Sequence, residues 1–300
     1  MTVAAGNPVA KTASRPREGG RRISLDWLGA VPFFGYVGLF LILPTGIVVV
    51  GAFFSNEGPT LANLSNLTQP FIITSLINSL VLSTVTAIAG AFLGALMAYA
   101  LATGNPNGAL RRIVSAACGV LAQFGGVILA FAFIATIGLG GLVYVSLQNL
   151  GIDMYPNGVW LYTLPGLMLV YMYFQIPLMV LVFLPALDGI RPQWREATES
   201  LGGGTWHYWR YVAGPLLTPA FLGATLLLFA NAFSAYATVA ALVNQGGIVL
   251  PIQIANALQS ETGAHDPGFA KALALVMVIV VAIVMTLYAL LSRRTAKWLR

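Results

Sequence analysis

Two histidines, one cysteine and nine carboxylates are all that this 300-residue sequence offers for acid–base, nucleophilic or metal chemistry. No catalytic set and no metal site emerge from them. Cys118 stands alone, which excludes an intrachain disulfide or a multi-cysteine metal site, and its apolar surroundings suit a small core residue. The lysines, Lys11, Lys271 and Lys297, lack the glycine pattern of a phosphate-binding loop, so any ATP hydrolysis must belong to another chain. A different group of polar residues is more informative: uncharged side chains set inside long apolar runs. They are Asn78, Ser79, Ser83, Thr84 and Thr86, then Gln123, then Tyr173 and Gln175 beside Pro177, then Asn231, Ser234, Tyr236 and Thr238. A polar group in hydrocarbon is costly and tends to face a cavity or another helix. Their chemistry is non-covalent, namely hydrogen bonding to whatever that cavity or helix presents. Serine and threonine more often bond their own backbone, and small residues serve close packing. With most serines and threonines set aside on that ground, Asn78, Gln123 and Gln175 stand out as candidates to line such a cavity.

The elements holding these groups must be membrane helices. Only 8% of residues are charged, 58% are hydrophobic and mean hydropathy is +0.84, whereas a soluble domain carries about a quarter charged residues. Residues 58–110, 113–152, 154–187, 211–260 and 272–292 hold no Asp, Glu, Lys or Arg. A bilayer core needs about 20 apolar residues per helix, and a soluble helix needs a polar face that these runs lack. Spans are predicted at 30–54, 72–101, 113–137, 161–187, 216–243 and 269–292. Turn chemistry separates them at Asn56–Pro59, Gly104–Gly108, Gly138–Gly141 and Asp266–Gly268. Between Leu139 and Tyr162 the pattern is ambiguous, with Leu142–Leu150 suited to a short helix at the outer surface. The fold class is thus an all-α membrane protein with six transmembrane helices, and a basic tail, residues 1–26, expected to be disordered and cytoplasmic. The apolar stretch after the tail is too long for a cleaved signal segment of roughly 7–15 residues. Residues 27–300 form the membrane domain, with a loop at 188–215.

The formal charge of +6 reflects topology rather than nucleic acid. Apart from Lys271, every Lys and Arg lies in the tail, at Arg111 and Arg112, at Arg191, Arg195 and Arg210, or at Arg293, Arg294, Lys297 and Arg300. Cytoplasmic loops carry such an excess. Strict alternation around six spans puts both termini in the cytoplasm. It also puts His207 and His265 on opposite sides, so they cannot share a metal.

The loop between the fourth and fifth spans is the one concentrated stretch of charge and aromatics. Pro192 suits the first turn of a helix, and Glu196 and Glu199 are expected early in it, where they complement the helix dipole. Trp194, Ala197 and Leu201 fall on one apolar stripe. Gly202–Gly204 ends that helix, and a second segment with Trp206 and Trp209 follows before Pro215. The expected object is a short helix–turn–helix along the cytoplasmic face, with an apolar surface lacking a partner in the loop.

In this loop the sequence resembles the ABC importer permeases, whose signature is Glu-Ala-Ala, three residues, Gly, nine residues, an aliphatic residue, two residues and Pro. Glu196-Ala197-Thr198, Gly202, Val212 and Pro215 stand at those spacings, with Thr198 in place of the second Ala and Gly214 in place of the usual Leu. The resemblance covers the chain from about the second span onward. It implies a MetI-like six-helix bundle of a binding-protein-dependent type I importer. Residues 193–201 would then be the coupling helix that docks in a cleft of a separate ATPase, with Glu196, Ala197, Leu201, Gly202, Val212 and Pro215 as coupling residues. The fifth span would line the pore, which favours Asn231, Ser234 and Tyr236. Implied partners are a second homologous or identical permease subunit, two ABC ATPase subunits, an extracytoplasmic solute-binding protein and the lipid bilayer. No cofactor belongs to this chain, ATP and Mg being held by the ATPase, and the chain itself is not an enzyme.

After the fifth span, residues 244–254 suit a segment that dips back from the outer side. This resembles the polyamine, ferric iron, thiamine, phosphonate and sulfate branch more than the sugar branch, and implies a small charged solute. The alternatives are a sugar-type permease of the same class, a secondary carrier, which would usually show internal inverted repeats, or a membrane scaffold, which would leave the loop motif unexplained.

Overall fold

The computed structural model describes residues 31–55, 58–156, 158–243, 248–259 and 267–296. The basic tail, His265, Asp266 and the Asn244–Gly247 turn lie outside the described residues. Among the described residues, six helices are long and apolar enough to cross a membrane: Val31–Gly51 (α1), Pro70–Thr103 (α2), the run Gly126–Asn149, Leu164–Asp188, Thr205–Ser234 and Pro267–Leu290.

Contacts divide the chain into two units at Ile47/Val48. In the first, the described residues belong to α1 and none of its side chains is buried. A π-helical turn at Gly38–Ile42 interrupts it.

The second unit begins at the end of α1. Two short antiparallel strands, Phe54–Ser55 (β1) and Gly58–Pro59 (β2), pair there. The buried Asn63 amide donates to the Ala52 and Phe54 carbonyls at 3.2 and 3.3 Å. Its other side touches Gly268, where a Cβ would lie 2.7 Å from the Asn63 oxygen. Lys271, the one basic residue predicted outside the basic clusters, lays its chain against Gly51 at the C-terminal end of α1, where a cation is favoured by the helix dipole.

In α2 the usual arrangement is turned inside out. Ser75, Ser79, Ser83, Thr86, Ala87, Gly90, Ala91, Gly94 and Ala98 are buried, while Ile77, Val81, Val85, Ile88, Phe92 and Leu96 are exposed on the opposite face. Water would not tolerate that face; lipid would, and small residues let two membrane helices approach closely. Across 34 residues, about 51 Å of helix, α2 packs chiefly on Leu164–Asp188 and Thr205–Ser234. At Gly90 and Gly94 the contact is tight: a Cβ on Gly94 would stand 2.5 Å from Met179 Cβ. The hydroxyls of Ser75, Ser79, Ser83 and Thr86 donate to the carbonyl four residues back, at 2.7–2.9 Å.

The predicted third span, 113–137, is two helices, Ala109–Leu121 (α3) and Gly126–Ile137 (α4), followed by Leu142–Asn149 (α5). Gly126 has φ +69 and restarts the helix after a break at 122–125. α5 is the short helix expected between Leu142 and Leu150. The buried Tyr155 ring stacks on Tyr144, and its hydroxyl donates to the Ile137 carbonyl at the end of α4. Burial, and after it the neighbouring Tyr162 and Tyr144, pushes the Tyr155 phenol above its usual range, so it stays a donor.

The fourth span is Leu164–Asp188 (α6), with Pro177 and Pro185 inside it. A short helix Pro192–Ser200 (α7) follows. The predicted loop then ends earlier than expected, because Thr205–Ser234 (α8) is one helical run carrying a π-helical turn at Trp209–Ala213. The second half of the expected helix–turn–helix is thus the base of the fifth span. That span also stops short of 243: it breaks at Ala235–Tyr236 and resumes as Ala237–Leu242 (α9). Leu250–Gln259 (α10) and Pro267–Ala296 (α11) complete the chain.

Candidate docking loop and polar path

Arg191 is extended (φ −79, ψ 132) and Pro192 opens α7, because a proline N–H would be unpaired at that position anyway. The C-terminus is closed by two bonds, from the Gly202 N–H to Glu199 O at 3.0 Å and from the Gly203 N–H to Thr198 O at 2.9 Å. This paired pattern is the Schellman cap, whose C′ residue must be left-handed. Gly202 has φ +78, so the motif glycine is required by the backbone itself. The Thr198 methyl packs where a Cβ on Gly203 would meet it at 2.8 Å, which gives the threonine at the second alanine position a local fit.

Because Pro192 is the first residue of α7, its first turn holds no acidic residue. This corrects the expected early placement of Glu196 and Glu199. Glu199 lies in the last turn, where the dipole opposes it, and pairs with Arg195 at 3.0 Å. Glu196 is exposed and its carboxylate makes no ion pair among the described residues. Leu201, Trp206 and Tyr211 are 88%, 74% and 71% exposed, and Ala197 is exposed beside them. Val212 and Pro215 are half-buried in the base of α8, so they shape the loop rather than present a surface. Gly214 also has a cause: a Cβ there would lie 2.4 Å from the Trp209 carbonyl, which the π turn brings against it.

Two contacts fasten the loop to the bundle. Trp209 meets Tyr99 of α2 edge-on at 5.4 Å between ring centroids. Arg111 in α3 pairs with Asp188 at the end of α6. Beside Trp209, an apolar groove of about 410 Å³ opens among Phe92, Tyr99, Phe183, Leu217 and Phe221.

Deeper in the bundle, the two helix breaks meet. The Gly126 N–H at the start of α4 donates to Thr238 Oγ1 in α9 at 3.0 Å. The Ala235 carbonyl in the other break accepts from Tyr171 OH of α6 at 3.0 Å. Tyr171 stands about 10 Å along α6 from Leu164, so the junction lies within the spans, not at a surface. Irregular backbone at that depth persists only where protein buries it or a water-filled path runs past it. Around the junction, Gln123, Asn231, Ser234 and Tyr236 are all exposed in the single chain. Ser234 donates to the Ala230 carbonyl of its own helix at 2.8 Å.

The other two candidates are placed elsewhere. Asn78 donates to the Ile248 carbonyl at 3.1 Å; next to it Ser79 accepts from the Leu250 N–H at 2.7 Å, and Ser75 accepts from the Gln253 amide at 3.1 Å. These bonds hold residues 248–253 beside α2, Ser79 being about 14 Å along it from Pro70. Gln175 is fully buried at the contact with α2, donating to Thr86 Oγ1 at 2.7 Å while its Oε1 has no hydrogen-bond partner among the described residues. The residues that sequence reasoning missed are Gly126 and Tyr171 at the junction, and the Arg111–Asp188 pair; Thr238 stands among the polar residues within the spans but is set aside as a path candidate. The one visible signal was the Gly125-Gly126 pair in the middle of a predicted span.

Residues 155–297 match the family described as binding-protein-dependent transport system inner membrane component. Two curated proteins are similar over about half of this chain, both named thiamine transport system permease protein ThiP. That of Escherichia coli (strain K12) is 28% identical over 149 residues, 50% of this chain and 27% of the relative. That of Salmonella typhimurium is 32% identical over 137 residues, 45% and 24%. The matched region spans about a quarter of the length of these relatives. Among solved structures, a bacterial ABC transporter involved in the import of the acidic polysaccharide alginate shares the fold at TM-score 0.70 and 17% identity, over 90% of this chain and 95% of that one. The inward-facing MetNI methionine ABC transporter does so at 0.57 and 16%, over 75% and 96%.

Proposed function

We propose that this chain, a binding-protein-dependent ABC importer permease of MetI-like fold, supplies one half of a solute pathway and is driven by a separate ATPase docked on the loop at 188–215. The observation that carries the reading is α7: a rigidly capped helix whose apolar stripe, Ala197 and Leu201 with Trp206 beyond, has no partner within the described residues. Seating it in an ATPase cleft would cover that stripe. Closure of the ATPase dimer on ATP would then move α7 and tilt the spans attached to it. The basic loops, α7 included, would face the cytoplasm.

A second permease subunit, identical or homologous, would complete the path against the exposed face bearing Gln123, Asn231, Ser234 and Tyr236. An extracytoplasmic binding protein would deliver solute on the far side. In this reading Asn78 and Gln175 support the path rather than line it. The resemblance to two thiamine permeases over half the chain supports thiamine as the first solute to test, before polyamines, phosphonates and ferric chelates. Thermal shifts of the cognate binding protein with each solute would rank them.

The deciding experiment uses the chain co-expressed with its ATPase in vesicles. Glu196→Lys and Gly202→Asp should leave insertion intact but uncouple ATP hydrolysis from uptake. Unchanged uptake in both variants would sink the docking assignment. Uptake driven by an ion gradient without ATP would favour a secondary carrier, a class in which broken helices near the midplane also occur.

A further inference from the structure

α7 is joined to α6 by a short, stiff connection: Gly189 N–H bonds to Pro185 O at 3.1 Å and Ile190 N–H to Leu187 O at 3.1 Å. Any displacement of α7 is therefore delivered first to the end of α6. Asp188 ends α6, and its carboxylate is held by Arg111. Among the described residues, this is the ion pair that joins two different helices; the other, Arg195–Glu199, lies within α7.

Arg111 and Arg112 lie in the first turn of α3, where a cation runs against the helix dipole. A general demand for positive charge on this side would be met by either one. Only Arg111 is turned inward, its side chain 18% exposed, while Arg112 is exposed. A part-exposed pair adds little to stability, so its value lies in direction. At its far end, after about 20 Å of helix, α3 leads into the 122–125 break and on to Gly126, which bonds α9. Between these ends, Cys118 is buried in the apolar cluster that α3 shares with Phe183, Leu184 and Leu187 of α6.

The geometry points to Arg111 and Asp188 as positioning residues, a strut that makes α3 follow α6 when the docking helix moves, so that motion reaches the junction of the two breaks. This rests on the ATPase-docking reading above. Without the strut, α6 moves and α3 lags, and the seam between them opens at Cys118.

Cys118 is the sole cysteine of the chain and serves as a native reporter. The test uses the purified complex with its ATPase, labelled with N-ethylmaleimide and read by mass on this chain, without nucleotide and trapped with Mg-ATP and vanadate. Wild type should label slowly in both states. Arg111→Gln and Asp188→Asn should label at least about fivefold faster when trapped than without nucleotide. Arg111→Lys, and the double exchange Arg111→Asp with Asp188→Arg, should return to the wild-type pattern, which also shows that assembly survives. The strut is overturned if the single variants label equally slowly in both states or equally fast in both, the latter meaning simple loosening. Faster labelling of trapped wild type overturns it as well, since α3 would not be following α6. Failure of wild type to co-purify with an ABC ATPase removes the docking reading and the strut together; an intact complex with the overturning patterns removes the strut alone.

Discussion

Glycine settles several questions at the level of single residues, and for different reasons. At Gly202 the demand is conformational, a φ of +78 in the Schellman cap of α7. At Gly94 it is spatial, because a Cβ would meet Met179 Cβ at 2.5 Å and Ile176 O at 2.8 Å, whereas Gly119 has nothing within 4 Å. Gly94→Ala should therefore lower the detergent-solubilised melting temperature, by the equivalent of about 1–3 kcal/mol for overpacking, while Gly119→Ala leaves it unchanged. Equal melting of the two variants would contradict the close α2–α6 approach. Gln175 shows the opposite limit of sequence reading. Its type marks a polar group in a span, yet whether that group faces a path or a packed helix is decided by Gly90, where a Cβ would lie 2.9 Å from Gln175 Cβ.

At the level of elements, the two broken helices matter more than the intact ones. Thr238 supplies the acceptor for the first N–H of α4, and loss of that acceptor leaves a part-buried donor unpaired, which costs about 1–3 kcal/mol. Thr238→Val, of nearly the same shape, is expected to lower the melting temperature and to raise hydrogen exchange at residues 126–128, with exchange elsewhere in α4 little changed. The segment at 248–253 depends in the same way on α2. Ser79→Ala removes the acceptor for the Leu250 N–H, and protection from exchange should fall at 249–252 first. If 249–252 instead stayed protected while α2 loosened, the side chain would be serving its own helix alone. Hydropathy could not foresee the breaks, because Ala122–Gly125 and Ala235–Tyr236 are as uncharged as the helices around them.

For the whole molecule, the exposed surfaces are of two kinds. The outward face of α2 is mainly apolar, with Ile77, Val81, Val85, Ile88, Phe92 and Leu96 exposed and Thr84 among them, as lipid demands. Near the junction, Asn231, Ser234 and Gln123 are exposed and polar, which hydrocarbon would penalise. In the proposed assembly a charged, membrane-impermeant maleimide should label Asn231→Cys and Ser234→Cys in native membranes, in a Cys118→Ser background, and leave Ile88→Cys untouched. Labelling of Ile88→Cys with none at Asn231→Cys would place the aqueous path elsewhere.

Composition and periodicity by themselves determined that the chain crosses a bilayer, where most spans begin and end, and which loop carries a capped helix with an apolar stripe. These are local properties: transfer free energy sums along the chain, and Pro192 and Gly202 act on their own backbone. Only the tertiary structure decided that the third and fifth spans are broken, that their breaks share the Gly126–Thr238 bond, and that Asn78 and Gln175 bond to the Ile248 carbonyl and to Thr86. It also decided that Arg111 meets Asp188, 77 residues along the chain. Such pairings depend on which helices stand side by side, and a sequence in which nearly every span is equally apolar carries little record of that order.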